Sequence, residues 1–374
     1  MRVLITGADG FIGKNLQLRL LERKDIEVVK YTRADSLFDL PARVKGVDVV
    51  FHLAGMNRPQ DPQDPQEFLV DNTELTVALG RAVQDSGRRM RVLYTSSTQA
   101  HLDNPYGSSK RLAEQALQNL EGVNGTSIHV FRLPNVFGKW CKPNYNSAVA
   151  TFCHNIARGL PVQIHDPNAS VVLVYIDDVL DRFIHLMDGA DASADTEGFE
   201  SITPQYTISV GELARQITEF RESRDNLLID HVGTGFVRAL YATYVSYLPL
   251  ERFAYEVPQY GDARGVFVEM LKTPDCGQFS FFTNHPGVTR GGHYHHTKTE
   301  KFLVIKGQAR FRFRQMQTGQ AHELETSGEK PVIVETVPGW THDITNIGSD
   351  ELVVMLWANE IFDRASPDTY ACPV

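Results

Sequence analysis

The chain has 374 residues, 42% hydrophobic and 22% charged, with a formal net charge of −9 at pH 7. That length can fill two domains with full cores, and an acidic balance with no compensating basic block argues against nucleic acid as the main partner. No apolar run approaches the roughly 20 residues of a membrane span. The four cysteines lack any Cys-x-x-Cys spacing, and the N-terminus runs directly into a strand. A cytoplasmic protein without a membrane partner is therefore expected.

The first strand leads into Gly7-x-x-Gly10-Phe11-Ile12-Gly13, and a helical pattern follows through Leu16, Leu20 and Leu21. Glycines at this spacing allow a tight turn and let a pyrophosphate approach the positive end of the helix, so dinucleotide binding is expected here. Residues 26–33 form a second strand whose tip is Tyr31-Thr32-Arg33, with Asp35 just beyond. An arginine at that position suits a 2′-phosphate, which favours NADPH over NADH. Val47 to Gly55 is a third strand, nearly continuous in apolar residues as a buried parallel strand should be. Asn57 to Pro65 is rich in Pro, Gln and Asp and forms a surface loop, and Asp71 to Asp85 an amphipathic helix ended by Ser86-Gly87.

A fourth strand through Val92-Leu93-Tyr94 delivers Ser96, Ser97 and Thr98, and a helix with Tyr106 and Lys110 follows. Side chains at i and i+4 share a helix face. An ammonium near a phenol favours the phenolate, so this pair can shuttle a proton. Hydroxyl, phenol and ammonium are together what carbonyl reduction requires. Strands and helices alternate throughout, which implies a doubly wound parallel sheet, α/β and Rossmann-type.

Gly7-x-x-Gly10-Phe-Ile-Gly13, His52-Leu53-Ala54, Ser96-Ser97, Tyr106-x-x-x-Lys110 and Arg132-Leu133-Pro-Asn135-Val-Phe-Gly138 resemble the motifs of the extended short-chain dehydrogenase/reductase family, over residues 1 to about 240. The resemblance implies NAD(P) binding and work on nucleotide-activated sugars. It implies that Ser97 polarises the carbonyl, Tyr106 is the acid, and Lys110 tunes it and holds the nicotinamide ribose. Gly7, Gly10, Phe11, Ile12, Gly13, Thr32, Arg33, Leu53, Ala54, Gly55, Tyr106, Lys110 and Leu133 would face the cofactor, and Asn135 the sugar nucleotide. The gap from Ser97 to Tyr106 is shorter than usual for that family. The working hydroxyl is thus open among Ser96, Ser97 and Thr98, with Ser97 matching the family position.

Residues 141–240 are expected to form the substrate-side lobe, with a capping box at Ser209-Val-Gly-Glu212. The tyrosine-rich stretch Tyr241–Tyr247 is expected to join two domains, 1–245 and 246–374, with its tyrosines simply packing at the interface. From about residue 250 the texture changes to short strands such as 265–271, 278–282, 301–305, 309–313, 332–335 and 351–357. Alternation of Phe311 and Phe313 with Arg310, Arg312 and Arg314 marks a half-buried strand, and many such strands imply a sandwich or barrel. His293-x-His295 puts two imidazoles on one strand face. Glu300 and His342 would complete a nitrogen and oxygen donor set for a divalent metal.

The order His293-x-His295-x4-Glu300-x6-Gly307 and Pro338-Gly-x-x-His342-x3-Asn346 resembles the cupin family, an all-β jelly roll. Zn2+ is the first choice, although cupins also hold iron, manganese and nickel. Arg290-Gly-Gly-His293 also resembles metal-free sugar-nucleotide 3,5-epimerases, where the histidine is the base and the arginine holds the pyrophosphate. The ligand role is favoured for His293 because the rest of the set is present. The base is then open among Tyr294, Lys298 and Asp343.

The pairing of the two resembles bifunctional enzymes of capsular polysaccharide synthesis on the UDP-N-acetyl-L-fucosamine route. That resemblance implies C3 epimerisation of a UDP-2-acetamido-2,6-dideoxy-4-hexulose, then NADPH reduction at C4 to a UDP-N-acetyl-6-deoxy-L-talosamine. Alternatives are a reductase whose barrel only binds sugar or mediates dimerisation, and a non-catalytic NAD(P)-binding regulator. Both families commonly pair, so a homodimer is expected by analogy.

Overall fold

The structure is a computed structural model that describes every residue except 60–65, 191–197, 258, 263–264, 269–270, 272–276 and 361–364. Part of the expected 57–65 loop, part of the expected 265–271 strand and Cys276 lie outside the described residues. The chain divides into two compact units, Met1–Lys142 with Val171–Thr207, and Pro143–Ser170 with Ile208–Val374. Among the described residues no helix is long and apolar enough to cross a membrane.

The first unit opens with β1 (Arg2–Thr6), α1 (Phe11–Leu21), β2 (Glu27–Tyr31), α2 (Leu40–Val44) and β3 (Val49–His52). It continues with α3 (Gln66–Phe68), α4 (Leu75–Asp85), β4 (Arg91–Ser97), α5 (Pro105–Gln118), β5 (Ser127–Leu133) and β6 (Asn135–Phe137). The main sheet has five strands in the order β2-β1-β3-β4-β5, all parallel. Val3, Leu4, Ile5, Val50, Phe51, Val92, Leu93 and Phe131 are buried in it, which explains why these strands read as unbroken apolar runs. Strand order reverses between β1 and β3, so their carboxyl ends open a crevice where a ligand can sit. Before α4, the helix expected from Asp71 instead begins as a π-helical turn over Leu69–Glu74. Further on, β7 (Ser170–Tyr175) pairs parallel with β6, and α7 (Ile176–Met187) follows it.

The second unit contains α6 (Ala148–Ala157), and after β8 (Tyr206–Ser209) it continues with α8 (Val210–Asn226) and α9 (Gly235–Ser246). The Ser209 hydroxyl accepts the Glu212 amide at 3.2 Å, starting α8 as its cap spacing requires. The tyrosine-rich stretch is largely buried. Most of it lies in α9, where Tyr241 and Tyr244 are buried against Phe220 of α8.

Strands β9 (Ala254–Glu256), β10 (Gln259–Asp262), β11 (Gly265–Val268), β12 (Gln278–Asn284), β13 (Thr289–Tyr294) and β14 (Glu300–Lys306) follow. The last are β15 (Gln308–Gln315), β16 (Ala321–Ser327), β17 (Val332–Glu335), β18 (Trp340–Asn346), β19 (Leu352–Ala358) and β20 (Tyr370–Ala371). Two five-stranded antiparallel sheets result, β12-β19-β14-β17-β9 and β16-β15-β18-β13-β20. Their inner faces meet at Phe302 and Phe311, whose ring centroids are 5.6 Å apart.

Candidate functional site

In the first unit a site assembles where β1, β3 and β4 end. Gly7 has φ +68°, and a Cβ there would lie 2.7 Å from the Ala54 amide nitrogen, so only glycine lets the turn lie flat on the Leu53–Ala54 peptide. Its amide donates to the Tyr31 carbonyl at 2.9 Å, and the Gly10 amide returns to the Gly7 carbonyl at 2.9 Å. Gly10 is the N-cap of α1, with Phe11 and Ile12 half-buried and Gly13 buried in the opening turn. The unpaired amides of a helix's first turn favour a negative charge.

At the β2 tip, the Thr32 amide and hydroxyl both donate to Asp35, at 2.7 and 3.0 Å, and Arg43 pairs with the same carboxylate. These partners, the Thr32 amide first, hold Asp35 below the usual carboxylate range. Asp35 is thus already engaged, while Arg33 is exposed beside it.

Lys110 is buried on α5, and its Nζ donates to the Thr95 carbonyl at 3.2 Å. A Cβ on Gly55 would lie 2.9 Å from that Nζ, so the β3 loop abuts the ammonium. Burial lowers the ammonium to about 8 against an upward pull from Glu114. Tyr106 is half-buried near Phe68, with ring centroids 5.5 Å apart. Burial raises its phenol, and a hydrogen bond with the Ser97 hydroxyl draws it partly back. The sequence spacing led us to expect a phenol lowered by Lys110. Here burial dominates, because the ammonium turns toward the Thr95 carbonyl and the Tyr94 ring, 5.3 Å from its centroid.

Strand alternation separates the serines. Ser96 is buried and bonds to Glu114, whose carboxylate also takes Arg132 at 2.8 Å. Ser97 faces Tyr106, and Thr98 is exposed in the turn that Ser97 caps. Leu133 pairs with Ser97 across β4 and β5, and the Asn135 amide group donates to the Val172 carbonyl at 3.3 Å.

Sequence reasoning missed Asn72. Buried in the π-helical turn, it accepts the Met56 amide at 2.7 Å and donates to Met56 O and Ser109 Oγ at 3.0 Å each. It thereby ties the β3 loop to α5. A polar residue inside an amphipathic pattern was the available signal, and single-turn π segments recur at functional sites. Glu114, four residues beyond Lys110 and buried among Ala113 and Leu117, was legible in the same way.

In the second unit His293, His295, Glu300 and His342 converge, with candidate ligand atoms all within 4.8 Å of one another. His295 Nε2 is 3.1 Å from Glu300 Oε2, and His342 Nε2 is 3.6 Å from it. Burial, then the neighbouring His342, holds His293 at about 3, and burial also lowers His342. Burial pushes Glu300 up, but His295, His342 and Lys298 together hold it well below its ordinary value.

The set fits a divalent cation on two grounds. Among the described residues neither ring nitrogen of buried His342 has a hydrogen-bond partner. And His295 Nδ1 donates to the Asp368 carbonyl at 2.6 Å, so in a neutral ring the Nε2 lone pair faces the Glu300 carboxylate. Two electron-rich atoms at that separation require a cation or a second proton between them.

Of the other residues singled out, Asp343 is held by Arg312 and Lys298 pairs with Glu300 at 3.2 Å. Tyr294 stacks on Tyr370. Arg290 donates to Asn284 Oδ1 at 3.3 Å and lies over the Phe282 ring.

Residues 3–200, over half of the chain, match the model of the NAD dependent epimerase/dehydratase family. The chain belongs to this family. A nicotinamide cofactor follows from that membership and fits the glycine turn. Residues 260–370 match the polysaccharide biosynthesis C-terminal domain. A Pseudomonas aeruginosa protein named UDP-2-acetamido-2,6-beta-L-arabino-hexul-4-ose reductase is 61% identical over 100% of this chain and 99% of its own length. The crystal structure of the capsular polysaccharide assembling protein CapF from Staphylococcus aureus is 37% identical, covers 100% of both chains and has a TM-score of 0.68. MoeE5, solved with UDP-glucuronic acid and NAD, is 25% identical, with a TM-score of 0.50 over 59% of this chain and 82% of its own.

Proposed function

We propose that residues 1–245 reduce the C4 ketone of a UDP-linked 2-acetamido-2,6-dideoxy sugar with NADPH, and that the 246–374 barrel inverts C3 of that sugar at a zinc site. The observation that carries the reductase half is the Ser97, Tyr106 and Lys110 set, with Lys110 against Gly55 of the loop on which the Gly7 turn lies. The named substrate of the 61%-identical relative supports the sugar.

When bound, the nicotinamide supplies a hydride to C4. Ser97 donates its hydroxyl to the carbonyl oxygen as charge builds there. Tyr106, protonated at neutral pH because burial raises its phenol, gives that oxygen its proton and regains one from solvent. Lys110, beside Gly55, holds the ribose hydroxyls. Ketone plus hydride plus proton gives the alcohol. Arg33 meets the 2′-phosphate, Thr32 and Leu133 lie along the cofactor, and Asn135 meets the sugar nucleotide.

In the barrel, a 4-ketone acidifies the C3 proton because its removal leaves an enolate. A base, open among Tyr294, Lys298 and Asp343, would take that proton, and return of a proton to the opposite face would invert the centre. His293, His295, Glu300 and His342 would hold the metal, which when bound supplies Lewis-acid stabilisation of the enolate oxygen. Arg290 would meet the pyrophosphate.

Incubation with the UDP-4-keto sugar in deuterated water, with and without NADPH and followed by NMR, tests both halves. The reading expects deuterium at C3 without NADPH, and one NADPH oxidised per C4 alcohol with it. Absence of C3 exchange removes the barrel's part, and absence of NADPH oxidation removes the reductase.

A further inference from the structure

We propose that the C-terminal segment from Asp368 to Cys372 is a built part of the His/Glu centre, with Asp368 as the positioning residue that fixes His295 and its loop. The inference rests on the metal reading above and extends it to residues that touch none of the donor atoms of Glu300 or His342.

Two ligands, His295 and Glu300, flank the loop between β13 and β14, which has no regular structure to hold it. Asp368 supplies the missing constraint. Its Oδ1 accepts the His296 amide at 2.9 Å, and its Oδ2 accepts the amides of Thr297 and Lys298 at 2.7 Å each and the Thr297 hydroxyl at 3.1 Å. One carboxylate thus satisfies three consecutive backbone donors that the loop would otherwise bury unpaired.

The same residue's carbonyl accepts His295 Nδ1–H at 2.6 Å, which selects the tautomer with a lone pair on Nε2 and fixes the ring plane. The segment is anchored on both sides of this contact. Thr369 Oγ1 takes Lys298 Nζ at 3.2 Å, and Tyr370 stacks on Tyr294 and meets His296 edge-on. β20 pairs with β13 at His293 and Tyr294, and the Cys372 amide reaches the Gly292 carbonyl at 2.7 Å. The segment therefore grips the strand that carries His293 as well as the loop that carries His295.

Removing partners that orient a metal-bound histidine typically costs about 10- to 100-fold in metal affinity. The test is competition for Zn2+ against a chromophoric chelator on the full-length protein, with the Co2+ absorption spectrum as the readout of ligand geometry. Asp368→Ala is expected to weaken Zn2+ binding by about that factor and to alter the Co2+ bands. Asp368→Asn, which keeps one acceptor oxygen, should fall between it and wild type. A purely packing role would lower the melting temperature of the metal-free protein and leave the Co2+ spectrum unchanged, which overturns the proposal.

If Asp368→Ala does not fold, Asp368→Asn decides alone. Wild-type affinity and spectrum in that variant overturn the inference, and a partial loss with altered bands supports it. His342→Ala separates the two layers of the argument. If wild type and His342→Ala bind Zn2+ alike, the metal reading fails. If His342→Ala loses binding and both Asp368 variants keep it, only the positioning role fails.

Discussion

Replacing Tyr106 by Phe removes one oxygen atom and little else. The ring keeps its place 5.5 Å from Phe68, and helix α5 keeps its Asn104 cap on the Gly107 amide at 2.8 Å. What disappears is the hydroxyl that bonds to Ser97 and that, raised by burial, carries its proton at neutral pH. Stability should change by about 1 kcal/mol or less, the net worth of one hydrogen bond. Reduction should fall by about 10²- to 10⁴-fold, the usual contribution of a positioned acid, or about 3–5 kcal/mol of barrier. The assay is NADPH oxidation with the UDP-4-keto sugar, run beside deuterium exchange at C3, which the barrel should still perform at the wild-type rate. A variant that reduces within about tenfold of wild type would refute the assignment of Tyr106 as the acid. A parallel loss of C3 exchange would refute the division of labour at residue 245.

Arg33→Ala should weaken NADPH binding by about 10- to 150-fold, the worth of one charge-assisted contact, and leave NADH nearly unchanged; equal loss of both cofactors in a fluorescence titration would contradict the 2′-phosphate role. Lys110 titrates near 8 in the folded chain and near 10.5 unfolded. Between these values the unfolded state binds more protons, so the cost of burying the ammonium is full below pH 8 and declines as pH rises to 10.5. Lys110→Met should therefore gain up to about 3 kcal/mol in urea unfolding at pH 7 and progressively less toward pH 10, and a gain flat in pH would speak against it. Glu335 is 2% exposed and pairs with Arg224 and Lys301, themselves 8% and 1% exposed. Glu335→Gln should leave buried Arg224 and Lys301 without their shared carboxylate and cost about 3–5 kcal/mol of the second unit's stability, and a loss under about 1 kcal/mol in a thermal melt would refute that account.

The parts of both sites that obey a period were legible in the sequence. Glycines at fixed spacing and Tyr106 with Lys110 at one helical turn reduce to a local geometry that the residues themselves impose, whereas of the expected strand pair only His293 lies in β13, which ends at Tyr294, and His295 falls in the loop beyond it. What escaped depends on chain that returns from far away. Asp368 lies 70 to 73 residues beyond the His295–Lys298 loop that it holds, and no local pattern marks it. The π-helical turn at Leu69–Glu74 was hidden because it inverts the usual pattern, leaving Leu69 and Val70 exposed while the polar Asn72 is buried.

The behaviour of residues 208–246 has a physical cause in strand β14, where neighbours point to opposite faces. Glu300 turns inward to the histidines, and Lys301 turns outward to Glu335, its partner across β17. Glu335 also receives Arg224 from α8 and the Tyr241 hydroxyl from α9 at 3.2 Å, while Lys301 donates to Tyr255 at 3.1 Å. A carboxylate shared between two buried cations cannot be vacated cheaply by either side. Helices α8 and α9 are thereby fastened to the strand that carries a candidate metal ligand. A change of texture along the sequence marks where strands begin. It does not mark where the packing ends, because the charges that fix the packing sit on a helix read as part of the preceding lobe.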